Sequence, residues 1–131
     1  MRREVILPPD ESAAPLARSS LSAAIPPPDL LERGDDAQLA VTELAANAIR
    51  HGALHAGDIV RLVIEADDDR VHVEVQQPTS ARDVHVVAPR LDDPSDVGGF
   101  GLRLVEHTAD SWGHEAGPPG RVWCEFRRAG A

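Results

Sequence analysis

Glu43 and Asn47 stand four residues apart in the stretch Ala40 to Gly52, AVTELAANAIRHG. In a helix that spacing stacks them on one face, and His51 extends the stripe by a further turn with Arg50 beside it. A carboxylate can take a proton, and an amide oxygen can ligate a hard cation such as magnesium. Leu39, Val41, Leu44, Ala45, Ala48 and Ile49 fill the opposite side with groups that can be buried. An acid, an amide and an imidazole on such a helix suit the wall of a site that holds something polar. The pattern is short, and surface polarity on an amphipathic helix competes with it.

A second cluster lies downstream. Gly98-Gly99-Phe100-Gly101 runs directly into Leu102, Leu104, Val105 and His107 at helical spacing. Glycines at a helix start leave backbone N–H groups uncovered, and with the positive end of the helix dipole these form an anion site. The stretch 78–97 before them carries Pro78, Pro89, Pro94 and several charges, interrupted only by Val84 to Val87. A loop this long in a compact domain suits a lid or a binding loop, with a plain spacer as the alternative.

The remaining elements must hold these groups in place. Arg3 to Leu7 reads as a strand stopped by Pro8-Pro9. Asp10 is placed to cap a helix over about 11–24, with Leu16 and Leu21 inward and Pro15 in the tolerated first turn. Pro26-Pro27-Pro28 ends it. Gly34-Asp35-Asp36 opens the central helix, and Asp35 followed by Gln38 resembles a capping box. Gly52 and Gly57 mark the exit. Asp58 to Ala66 reads as a strand with Val60, Leu62 and Ile64 on one face, and Asp67-Asp68-Asp69 as a turn. Val71, Val73 and Val75 then alternate with His72, Glu74 and Gln76, which predicts an antiparallel hairpin. Parity puts Gln77 on the valine face at the strand's end, aimed at what the central helix also faces. A second hairpin is predicted from Ser111 to Ala116 and Arg121 to Arg127 around Gly117-Pro118-Pro119-Gly120. Val122, Cys124 and Phe126 share its inner face, Trp112 packs at its start, and the last residues, Arg128 to Ala131, fray.

Composition narrows the function classes. The 131 residues suit one domain, here 1–131, with a single core. At 42% hydrophobic but 3% aromatic, that core is built of Val, Leu, Ile and Ala. A net charge of −9 argues against direct nucleic-acid binding and against docking on an anionic membrane, and is compatible with a basic protein partner. Cys124 stands alone, so neither an internal disulfide nor a multi-cysteine zinc site is expected, and a buried inert thiol is. His55, His72, His85 and His114 lack metal-ligand spacing. No apolar run is long enough to span a membrane, and the N-terminus lacks a signal-peptide core, so a cytoplasmic protein is expected.

Glu43-Leu44-Ala45-Ala46-Asn47-Ala48-Ile49-Arg50-His51-Gly52 resembles the N-box, and Gly99-Phe100-Gly101-Leu102 the G2 box, of the GHKL ATPases. Trp112-Gly113 and Gly120-Arg121-Val122-Trp123 resemble the ends of the small anti-sigma-factor serine/threonine kinases of actinobacteria. The order of these motifs, with a lid-length gap, covers nearly the whole chain. The resemblance implies the Bergerat ATP-binding fold, an α+β two-layer sandwich with a mixed, mostly antiparallel sheet covered on one face by helices. It implies ATP under a lid at about 78–97, with Mg2+ held by Asn47 and Glu43 as general base on a protein serine or threonine. Gly98, Gly99 and Gly101 would serve the phosphates, Arg50 and His51 their outer end, and Phe100 and Leu102 the rest of the nucleotide site. The partners implied are a sigma factor, an anti-anti-sigma protein or both, and a homodimer is common in the family. Gln77 stands where the family's G1 box has an adenine-binding aspartate, and Pro78-Thr79-Ser80 replaces the glycines that follow it in the larger superfamily. Exchanging a charged acceptor for an amide costs about 1–2 kcal/mol, roughly tenfold in affinity. The alternative function is therefore a partner-binding regulatory module with weak or lost nucleotide binding.

Overall fold

The structure, a computed structural model, describes residues 1–26, 33–51, 58–77, 97–115, 117 and 119–128, with the side chains of 50–51 and 97–102 excepted. The expected lid over 78–96, the helix exit at Gly52 and Gly57, and His55 and His85 lie outside the described residues.

Five strands and three helices follow one another as β1 (Arg2–Leu7), α1 (Ala13–Ala24), α2 (Gly34–His51), β2 (Val60–Ala66), β3 (Arg70–Gln77), α3 (Val97–Thr108), β4 (Ser111–Glu115) and β5 (Gly120–Arg127). The strands form one sheet in the order β1-β2-β3-β5-β4. Every pairing among the described strands is antiparallel, in keeping with the α+β sandwich and mostly antiparallel sheet expected, though no parallel pair is among them. Both predicted hairpins are present. The first closes at Asp67, whose Oδ1 accepts the N–H groups of Asp69 and Arg70 at 2.8 and 2.9 Å.

The period-2 pattern sends Val60, Leu62 and Ile64 of β2, Val71, Val73 and Val75 of β3, and Val122, Cys124 and Phe126 of β5 to one buried face. The helices cover that face. On α1 the stripe is Ala13, Ala17 and Leu21, continued by Ile25 beyond the helix. Leu16 falls between the turns of this i, i+4 series and is 37% exposed, against the expectation that it faces inward. On α2 the inner face is Ala37, Ala40, Val41, Leu44, Ala45 and Ala48. Leu39 does not join it and is also 37% exposed. It stands four residues before Glu43, so it continues the polar stripe rather than the apolar one.

Two expected caps are replaced. The N-cap of α1 is Ser12 and not Asp10. Asp10 Oδ1 accepts the Ser12 N–H at 2.8 Å and also its hydroxyl, closing a turn ahead of the helix. Asp35 lies inside the first turn of α2 beside Asp36, where both carboxylates meet the positive helix end. Gln38 is therefore free of a capping box, and its Nε2 donates to Ser22 Oγ of α1 at 2.7 Å.

The other face of the sheet carries many charged groups, with Val63 and Glu74 buried at its centre. There His72 stacks on Trp123 with ring centroids 5.6 Å apart. Its Nδ1 lies 2.8 Å from Glu125 Oε2 and its Nε2 3.2 Å from Glu74 Oε1. Trp123 also lies against Gly113 of β4, where a Cβ would come within 2.5 Å of the indole.

Candidate functional site

Arg33, immediately before α2, fixes how the helices lie. Its Nη1 donates to Asp110 Oδ1 at 2.9 Å, just beyond the end of α3. Its guanidinium sits 5.3 Å from the centroid of Phe126, which pairs with Val71 at the start of β3. Asp110 Oδ2 also accepts the Arg127 N–H at 2.6 Å. The start of α2, the end of α3 and the Val71 end of the sheet therefore meet at one place. Since α2 and α3 pack together, they run antiparallel away from it.

Distances along each element then place the functional groups. At about 1.5 Å per residue, Asn47 lies about 21 Å beyond Arg33, and Gly98 about 18 Å before Asp110. At about 3.3 Å per strand residue, Gln77 lies about 20 Å beyond Val71. Asn47 and the glycine-rich start of α3 thus lie at the same end of the packed helix pair, and Gln77 lies at the end of β3 away from Val71. Glu43 lies one helical turn closer in.

These groups differ in burial. Asn47 is 5% exposed and Gln77 3%, two of three buried polar residues among those described. Glu43 is half-buried. Leu7 pairs with Val60 and Gln77 with Gly120, and the β2–β3 register brings the two pairs into one inward row. Gln77 is thus the single polar side chain of a row whose other members are apolar or lack a side chain. Its Oε1 is buried with no hydrogen-bond partner among the described residues. Leaving a buried acceptor unpaired costs about 1–3 kcal/mol, so this atom is a candidate acceptor for a bound donor. The expectation that Gln77 faces inward with the valines is met.

The glycines expected ahead of a helix form its first turn, because α3 begins at Val97. A helix leaves its first N–H groups without internal partners. Here those belong to Val97, Gly98 and Gly99, while Gly101 sits a turn further in. Arg50 and His51 close α2 at the same end. Their side chains, with those of Phe100 and Leu102, lie outside the described residues.

These residues could supply an amide oxygen for a cation, a carboxylate for a proton, the N–H groups of a helix start for an anion, and a buried amide oxygen beside apolar neighbours. A depression of about 510 Å³ lies elsewhere, at the β2–β3 turn among Glu65, Asp67, Arg70, His72 and Glu125. It shares no residue with the site. Sequence reasoning missed Arg33 and Asp110, which position both helices. They are far apart in the chain, and no local pattern links them. Among the described residues, no helix is long and apolar enough to cross a membrane.

No curated protein matches the chain. The family described as the histidine kinase-like ATPase domain matches residues 8–122, from the end of β1 into β5. That span takes in Glu43, Asn47, Gln77 and the start of α3, and domains of this family bind ATP, generally with Mg2+. The chain belongs to the histidine kinase-like ATPase domain family.

Proposed function

We propose that this chain binds ATP with magnesium and acts as a regulatory protein kinase of the anti-sigma type, phosphorylating a serine or threonine on a protein antagonist and binding a sigma factor. The observation that carries the nucleotide part is Gln77 Oε1, buried at the end of β3 with no hydrogen-bond partner among the described residues. The donor set fits such a ligand: an acceptor for a base, an amide oxygen for a hard cation and helix N–H groups for phosphates.

When bound, the nucleotide and its metal supply the transferable phosphoryl group and a charge that neutralises its oxygens. Asn47 would hold the metal through its side-chain oxygen. The N–H groups of Gly98 and Gly99 would hold phosphate oxygens, and the small residue at Gly101 lets them approach. Arg50, His51, Phe100 and Leu102 would line the remainder. Glu43 would accept the proton of the attacking hydroxyl, a role that general bases fill to the extent of about 10²–10⁴ in rate. A cytoplasmic location and assembly as a homodimer belong to the same proposal.

Calorimetric titration with ATP, with and without magnesium, tests the binding step. Magnesium-dependent binding at micromolar to sub-millimolar strength is the expected result. A second reading, a partner-binding module with lost nucleotide binding, is favoured by the uncharged Gln77. It takes over if millimolar ATP gives neither heat nor a thermal shift.

A further inference from the structure

The side-chain chemistry of Gln77 points to a base subsite that accepts guanine as readily as adenine; the inference rests on the nucleotide-binding reading above. Gln77 ends β3 on the covered face of the sheet, 3% exposed and flanked in its row by Val60 and Gly120. Hydrogen-bond readout in that row depends on this one amide. Its Oε1 has no partner among the described residues, so none of them locks the amide oxygen in place.

A primary amide carries an acceptor and two donors side by side. Adenine offers an exocyclic N–H donor beside a ring-nitrogen acceptor. Guanine offers the mirror arrangement, a carbonyl acceptor beside a ring N–H donor. An amide meets the first with its oxygen toward the base's exocyclic group and the second after a half-turn about its terminal bond. Each pose makes two hydrogen bonds and satisfies the buried oxygen. A carboxylate at the same place only accepts: opposite the exocyclic group it takes the adenine N–H but has no donor for the guanine carbonyl, and it pairs with guanine only by moving along the base to the ring N–H and 2-amino group. Sites that leave a polar group unpaired against the wrong ligand reject it strongly, and sites that satisfy both ligands do not discriminate.

The experiment titrates the full chain with Mg-ATP and with Mg-GTP, in the wild type, in Gln77→Asp and in Gln77→Met, with melting curves of each protein alone. The expected result is ATP and GTP dissociation constants within about tenfold of each other in the wild type. In Gln77→Asp the ratio moves at least tenfold toward ATP. Gln77→Met weakens both nucleotides by a similar factor and raises the melting temperature of the free protein, since no acceptor is left unpaired. GTP binding more than a hundredfold weaker than ATP in the wild type overturns the inference and leaves the function standing. Failure of both nucleotides to bind overturns the nucleotide reading itself. If Gln77→Asp does not fold, an unequal loss of the two nucleotides in Gln77→Met overturns the assignment to Gln77.

Discussion

Arg33 Nη1 and Asp110 Oδ1 are 2.9 Å apart and join the residue before α2 to the turn after α3. The pair is two-thirds buried on each side, and Asp110 also accepts the Arg127 N–H. Burial works against the Asp110 charge, but the Arg127 N–H and the Arg33 guanidinium outweigh it and hold the carboxyl below its ordinary range. A carboxyl depressed by folding adds stability above its unfolded pKa, and that stability is lost as pH falls through the folded value. Asp110→Asn should therefore cost about 1–2 kcal/mol at neutral pH, and the difference should shrink as pH falls below the ordinary aspartate value of about 4. Urea denaturation of both proteins across pH 2.5–7 checks this. Parallel curves over the whole range would remove Asp110 from the account.

Glu43→Gln keeps the shape of the stripe but cannot take a proton. Nucleotide affinity should stay within about threefold of wild type, because the binding contacts are assigned elsewhere, while phosphoryl transfer falls by about 10²–10⁴. Transfer of labelled phosphate to a phosphorylatable partner gives the rate, and calorimetry the affinity. A transfer rate equal to wild type would take the general-base role from Glu43.

Gly113→Ala would push a methyl group to within 2.5 Å of the Trp123 ring. The ring cannot simply retreat, because its other contact is the stacked His72. The expected cost is about 1–3 kcal/mol, with a change in tryptophan emission as the ring shifts. An unchanged melting temperature and spectrum would show that the ring has room the packing does not suggest.

Cys124 is buried in the sheet core, and burial pushes its thiol up to about 12. At pH 8 the native protein should leave a disulfide-exchange reagent almost unreacted, with one thiol released at once on adding denaturant. Rapid reaction in the native state would mean that β5 opens far more often than its burial implies.

Much of this architecture could be read from residue order. The valine alternation in β3 set both the hairpin and the inward parity of Gln77, since a period of two leaves little choice of face. The i, i+4 spacing placed Glu43 and Asn47 on one flank of α2. The errors are those of competing local options. Asp10 could cap or close a turn, and it closes a turn. Gln38 could reach back to its own helix start or across to Ser22, and it goes across. Leu16 and Leu39 look like core by type, but alanines a residue or two away complete the buried stripes. The Arg33–Asp110–Phe126 cluster had no sequence signal at all. It forms only once the sheet puts β5 between β3 and β4, an order that strand patterning does not determine.

The buried face of α2 carries four methyl-sized side chains: Ala37, Ala40, Ala45 and Ala48 are all fully buried. Such short side chains let the neighbouring elements pack close, and in the proposed site that closeness would set how far Asn47 stands from the strand that carries Gln77. The gap in which a ligand would be gripped is thus gauged by residues that never touch it. A longer side chain at Ala48, one position past Asn47, would pry the jaws apart from behind, and ligand affinity would record the change alongside the melting temperature.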